Sequence, residues 1–144
     1  MLKRQFGAAL IALFSFLAPS SATLHAQMSP PQEQPSVLAE IRTAIIRSIG
    51  AQPETVEIAV AGNILTVLRI NSNMNDSTHG GRDNEANAIA PIVSKAISGG
   101  PEFKNLTTIR VQYVIRSGPG AASKIIDTID FRKAPSGSFE FHKT

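Results

Sequence analysis

The sequence contains no cysteine and no tryptophan, and its 144 residues include a single tyrosine. Without cysteine the chain can form no disulfide and offers no thiol for the lipid anchor of an exported lipoprotein. The folded domain must therefore be held together by packing alone. A chain of this size is long enough to bury a substantial hydrophobic core in one domain.

The sequence also lacks a strong excess of charge of one sign. It has 14 basic and 11 acidic residues, a net charge of +3. Loss of Lys3 and Arg4 with a signal peptide would leave 12 of those 14 basic residues against the 11 acidic ones. The remaining arginines are scattered singly and are not interleaved with aromatic residues, as they would be in a groove that follows a phosphate backbone. We expect no nucleic-acid partner.

The longest apolar run lies near the amino terminus and is too short to cross a membrane. Residues Phe6–Ala18 follow two basic residues and precede Pro19 and a group of small residues, whereas a spanning helix needs about 20 apolar residues. This three-part layout is typical of a secretory signal peptide. We predict a signal over residues 1–26, cleaved after Ala22 or Ala26, which makes the protein periplasmic or secreted with no stable membrane span.

Two segments follow the predicted signal. Residues 27–35 consist almost entirely of Gln, Ser, Pro and Glu, a composition that predicts a disordered tether. Residues 36–144 predict a single small domain. Its apolar pattern indicates a helix from the Ser36 cap to Gly50, a hairpin, a second helix, and strands over 106–116 and 125–133, followed by a possible edge strand over 139–142.

These elements predict an α+β fold with two helices packed on one face of an antiparallel sheet of four to five strands. The order is α-β-β-α-β-β, with a possible extra C-terminal edge strand. In the fourth strand Ile125, Ile129 and Phe131 are expected to face inward. The second helix contains Pro91, so it either begins late, around Asn87, or is kinked at Pro91, and we expect a frayed or broken start.

The hairpin is the clearest local signal. Gly62-Asn63 joins two β-type runs, and a two-residue loop sets Ala61 opposite Ile64 and Val56 opposite Arg69. We expect one face of the hairpin to contact the helices. Its residues are Val56, Ile58, Val60, Leu65 and Val67. The opposite face is more apolar than a fully wet surface requires. We interpret it as a candidate interaction face, made of Ala59, Ala61, Ile64, Leu68 and Ile70.

A long polar loop is predicted over residues 71–85, and it holds the candidates for metal binding. His79, Asp76 and Asp83 lie close together in sequence, with Glu85 nearby. Imidazole and carboxylate groups bind divalent metals, but this spacing matches no recognised ligand signature. The prediction is therefore that the protein has no metal and no cofactor, with these residues as the site if one exists.

No catalytic set emerges from the remaining residues. The sequence has neither a G-x-S-x-G elbow nor a phosphate-binding loop of the required spacing. Asp127 falls on the same strand face as Ile129 and Phe131 and is interpreted as a hydrogen-bonded or solvated residue at the sheet margin. The preferred hypothesis is a non-catalytic binding or protein-interaction module that captures a protein or a second copy through the hairpin face. The alternative is a small metal-dependent hydrolase that uses the 71–85 loop.

Overall fold

A computed structural model describes residues 36–118 and 121–142. The predicted signal peptide and tether lie outside these residues. The helices are α1 (Val37–Ile49) and α2 (His79–Ile97), and the strands are β1 (Val56–Ala61), β2 (Ile64–Ile70), β3 (Thr108–Ile115), β4 (Lys124–Lys133) and β5 (Phe139–His142). Short 3-10 turns lie at Pro53–Thr55, Asn73–Asp76 and Pro101–Phe103. Neither described α-helix has the length and hydropathy needed to cross a membrane.

The strands form one sheet in the order β1-β2-β3-β4-β5, and the α+β class is confirmed. The expectation of a wholly antiparallel sheet is wrong, because β2 and β3 run parallel, with Ile64 opposite Thr108 and Ile70 opposite Val114. The cause is α2, which carries the chain from the end of β2 back along the sheet to the start of β3. A crossover of this kind joins parallel neighbours, whereas the hairpins at β1–β2, β3–β4 and β4–β5 give antiparallel pairs.

The predicted hairpin register is confirmed over all six residue pairs, from Val56 opposite Arg69 to Ala61 opposite Ile64. Gly62 has φ 59°, whereas Asn63 is not among the described residues with positive φ. A loop with positive φ at its first residue alone matches a type II′ turn, in which glycine occupies that position.

Helix α1 begins and ends where its capping residues predict. The Ser36 hydroxyl accepts a hydrogen bond from the amide of Ala39 at 3.3 Å, and Gly50 adopts the left-handed conformation at the other end. These caps satisfy main-chain groups that the helix itself leaves unpaired. Ile41 and Ile45, one turn apart, are both buried against the sheet.

Helix α2 begins at His79, eight residues before Asn87, so the predicted 71–85 loop is wrong over residues 79–85, whereas residues 71–78 do form a connection outside the α-helices. The Thr78 hydroxyl accepts a hydrogen bond from the amide of Gly81, and the helix then runs unbroken through Pro91 to Ile97. Pro91 removes the donor that would bond to the Asn87 carbonyl. Because both residues are exposed, water can reach that carbonyl, which explains why the helix does not stop there.

The core lies between both helices and one face of the sheet. Its buried residues are Ile41, Ile45, Val56, Leu65, Val67, Ala86, Ile89, Ala90, Val93, Ile97, Phe103, Leu106, Ile109, Val111, Tyr113, Ile129 and Phe131. The inward prediction for Ile125 is wrong, since that side chain is 56% exposed. A register shift between Tyr113 and Val114 places Ile125 opposite Val114, whose side chain lies on the other face from Tyr113, while Ile126 packs against the core instead.

Two glycine substitutions should change stability in opposite directions. An added Cβ meets no atom within 4 Å at Gly62 or at Gly80, so steric contacts do not distinguish the two sites. The two sites differ in backbone conformation. Gly62→Ala forces alanine into the left-handed region and is expected to lower the free energy of unfolding by about 1 kcal/mol. Gly80→Ala lies within α2 and is expected to raise it by about 0.5 kcal/mol. Urea denaturation of both variants checks the signs; a stabilised Gly62→Ala would contradict the turn assignment.

Candidate functional site

The helix-free face of the hairpin carries most of the predicted interaction residues in accessible positions. Ala59 and Ala61 on β1 are exposed, and Ile64 and Leu68 on β2 are half-buried. No described element packs over these four side chains, because α1 and α2 both lie against the opposite face. We refer to Ala59, Ala61, Ile64 and Leu68 as the hairpin face.

Ile70 does not belong to this accessible surface, and its assignment to the interaction face needs correction. Although it lies on the same side of β2, it is only 6% exposed. An ion pair spans this end of the sheet: Arg116 binds the Glu57 carboxylate with both guanidinium nitrogens, at 2.8 and 3.2 Å. Ile70 lines the same depression as Glu57 and Arg116. The ion pair therefore marks one boundary of the hairpin face.

Charged and polar residues form the other boundary, on β3 and β4. Arg110 binds Asp130 through two hydrogen bonds of 2.7 and 2.8 Å, directly across the β3–β4 pair. The Arg110 guanidinium lowers the pKa of Asp130 below its usual range. Gln112 and Thr128 are the next opposed pair along these strands. The helix-free face is thus apolar over the hairpin and polar where Arg110, Gln112, Thr128 and Asp130 adjoin it.

A second cluster lies on the helix side of the sheet, around Arg69 at the end of β2. This arginine is 3% exposed, and its guanidinium binds both carboxylate oxygens of Glu85 on α2, at 2.7 and 3.3 Å. The remaining side of the guanidinium donates to the carbonyl and hydroxyl oxygens of Thr55. A buried charge requires this degree of pairing to be tolerated.

A depression of about 480 Å³ opens beside the Arg69–Glu85 pair. Its walls include Ile49 and Met74 as well as polar Gln52 and Asn71. Since the charge of Arg69 is balanced by Glu85, the depression presents no unpaired charge from this pair to attract an anion.

Tyr113, the single tyrosine of the sequence, continues the cluster beside Arg69 on β3. The side chain is fully buried and its hydroxyl donates to the main-chain carbonyl of Arg82 at 2.9 Å. Burial, together with the nearby Glu85 carboxylate, raises the pKa of Tyr113 above its usual range. The phenol therefore stays protonated and acts as a structural donor.

Asp127 joins the first turn of α2 to β4. One of its carboxylate oxygens accepts hydrogen bonds of 2.7 Å from Arg82 and from His79, and the other accepts the amide of Thr128 at 2.9 Å. Although burial raises the pKa of Asp127, the bonds from Arg82 and His79 outweigh it and lower the pKa overall. The interpretation of Asp127 as a hydrogen-bonded residue at the sheet margin agrees with these contacts.

His79 is held between two carboxylates and is poorly suited to act as a base. Its Nδ1 lies 2.7 Å from Asp127, and its Nε2 lies 3.5 Å from Asp83, one turn along α2. The hydrogen bond to Asp127 and the charges of Asp127 and Asp83 raise its pKa above the ordinary value. This environment stabilises the imidazolium, whereas a base that abstracts protons needs a free lone pair.

The three metal candidates do not come together as a ligand set. His79 and Asp83 are adjacent on α2, but Asp76 lies in the preceding 3-10 turn. Within residues 36–118 and 121–142 no group of three histidines, cysteines or carboxylates is placed to hold a metal ion. The alternative hypothesis of a metal-dependent hydrolase therefore gains no support from the geometry.

Sequence reasoning missed the residues that organise this cluster, namely Arg69, Arg82 and Tyr113. A signal for Arg69 was present, because the hairpin register sets it opposite Val56 on the core face, where a charge demands a partner. Its partner Glu85 cannot be identified from a sequence interpretation that places residues 71–85 in a loop. The contact of Arg82 with Asp127 could not be predicted for the same reason.

Comparison of the chain with protein-family models, with curated protein sequences and with solved structures produced no match.

Breaking the buried ion pair on one side should cost far more than removing it whole. Glu85→Leu leaves Arg69 charged and unpaired and is expected to lower the free energy of unfolding by about 3 kcal/mol. Adding Arg69→Met removes that charge, so the double variant should recover most of the loss. Chemical denaturation of both single variants and the double variant measures the coupling, and purely additive losses would show that the two groups do not depend on each other.

The His79 contacts predict a pH dependence of stability. Because the pKa of His79 is raised in the folded state, its contribution is fully present below the unfolded value of about 6.5 and is lost as the pH rises through the folded value. The melting temperature should therefore fall as the pH rises above about 6.5 in the native protein, and fall less in His79→Gln. An unchanged slope in His79→Gln would contradict the assignment.

Proposed function

We propose that this protein is a non-catalytic protein-interaction module that acts outside the cytoplasm and binds its partner through the hairpin face. One observation carries the proposal: the four apolar side chains of this face are covered by no described element, although the sheet beneath them is fully formed. Apolar surface of this kind is stabilised when a partner removes it from water. The export part of the proposal rests on the predicted signal peptide.

The borders of the hairpin face support binding of a protein surface. The Glu57–Arg116 pair lies at one end. Arg110 lies beside Thr66 on the adjoining strand β3, and Asp130 lies opposite Arg110 on β4. An apolar centre with a polar rim is the usual composition of a protein-binding patch. The partner expected here is a protein with a small apolar patch of its own, flanked by polar groups.

The second cluster supports a structural role over a catalytic one. Its arginines and carboxylates bind one another, and its histidine faces carboxylates on both ring nitrogens. These contacts join α2 to β2 and β4 and fix the helix layer on one side of the sheet. They leave the hairpin face as the accessible surface on which the proposal rests.

Leu68→Lys tests the proposed face without disturbing the core. Leu68 lies directly opposite Glu57 on β1, so the new ammonium group gains a nearby carboxylate and the monomer should remain folded. Thr128→Lys, on the polar part of the same face, is the matched control. We expect the native protein and Thr128→Lys to retain the same partner from an extract of exported proteins, and Leu68→Lys to retain about tenfold less. Equal retention by all three, with native circular dichroism, would exclude the hairpin face.

A further inference from the structure

The outer edge of the sheet at β1 carries main-chain groups that no described residue pairs. In an antiparallel pair, alternate residues direct their N–H and C=O groups toward the neighbouring strand and away from it. The two-residue turn makes Ala61 and Ile64 a hydrogen-bonded pair. The main-chain N–H and C=O groups of Ala59 and Glu57 therefore also point toward β2. Ile58 and Val60 therefore direct their N–H and C=O groups outward.

Arg42 limits this open edge at its amino end. Its Nε donates to the carbonyl of Val56 at 2.7 Å, and its guanidinium also binds the carbonyl of Pro53. The bond to the Val56 carbonyl agrees with the turn geometry, which directs the main-chain groups of Val56, Ile58 and Val60 away from β2. Four outward groups remain on β1, the N–H and C=O of Ile58 and of Val60, with no hydrogen-bond partner among the described residues.

The two edge strands of the sheet, β1 and β5, differ in how well they are protected against pairing with a strand of another chain. Edge strands of natural proteins are protected by charge, proline and short length. At the β5 edge the strand has four residues, includes Glu140 and His142, and follows a turn that contains Pro135. Strand β1 has six residues, and its single charge, Glu57, is already bound to Arg116. Its Val60 side chain is 41% exposed.

A second copy of β1 matches these groups without conflict. When two antiparallel copies are centred on Ala59, Ile58 lies opposite Val60 of the other copy and each such pair exchanges two hydrogen bonds. All four outward groups of each chain are then satisfied. Glu57 lies opposite Ala61, so no like charges meet. Centring on Ile58 would instead require the Val56 carbonyl, which Arg42 already occupies.

We infer that two copies of this chain pair antiparallel along β1, centred on Ala59, and so extend the sheet across the dimer. The inference rests on the proposed interaction role of the hairpin and names a second copy as the occupant of its edge. It uses the main chain of β1, whereas the proposed partner uses the hairpin face. Both copies then present their hairpin faces on the same side of one continuous sheet.

Single cysteines test the register, because the native sequence has none. Cα atoms of a directly opposed, non-hydrogen-bonded pair lie about 4.5 Å apart, within disulfide range. In purified protein under mild oxidation, Ala59→Cys should form a covalent dimer rapidly. Ala61→Cys is the control, since its two copies would lie roughly 13 Å apart and should cross-link far more slowly. Equal rates for the two variants, or no dimer from either, would overturn the inference.

Light scattering on the purified protein provides an independent test. Val60→Pro removes the outward N–H while sparing the ladder with β2, and should weaken dimer formation by about tenfold or more. Ile125→Lys changes an exposed apolar residue away from β1 and should remain dimeric, as should Leu68→Lys. A dimer that persists in Val60→Pro would overturn the edge pairing. Loss of the dimer in Val60→Pro with the native dimer retained in Leu68→Lys separates this inference from the proposed function.

Discussion

The described part of the chain has two α-helices to cover a five-stranded sheet, and both pack against the same face. The crossover through α2 imposes this arrangement, because it returns the chain to the parallel partner β3 on the side where α1 already lies. The hydrophobic core cluster lies between the helix layer and that face. The other face must therefore depend on its own side chains: ion pairs at Glu57 and at Asp130, and small or half-buried apolar residues between them.

The ion-pair clusters keep the helix layer in position. Arg69 is buried on the core face because the tight turn at Gly62 fixes the β1–β2 register, and that register allows no other orientation for its side chain. Glu85 on α2 forms an ion pair with Arg69. About one turn earlier on α2, Arg82 forms an ion pair with Asp127 on β4. Buried pairs of this kind add little net stability, but a misplaced helix would leave a buried charge without its partner. We therefore expect these pairs to specify the packing more than they strengthen it.

Local signals made part of this structure predictable from sequence. Ser36 and Gly50 mark the two ends of α1, and Gly62-Asn63 determines the hairpin register. Both could be predicted because capping and turn chemistry act within a few residues. The start of α2 was not visible, since His79 to Glu85 has no apolar residue and includes two glycines. The parallel β2–β3 pair and the irregularity that exposes Ile125 depend on contacts between distant segments. The burial of Ile70 could not be predicted either, because the Glu57–Arg116 pair that lines the same depression joins segments distant in sequence.

The most direct test of the account is amide hydrogen exchange at Ile58 and Val60, measured at low and at high protein concentration. The edge of β1 is accessible in a single copy, so these two amides should exchange fast in dilute solution and slow as the concentration rises. The amide of Ala59, which belongs to the β1–β2 ladder, should be protected in both conditions. Slow exchange of Ile58 and Val60 in dilute solution would show that the chain covers its own edge. Fast exchange at both concentrations would show that no second copy pairs with it, and either result would contradict the account.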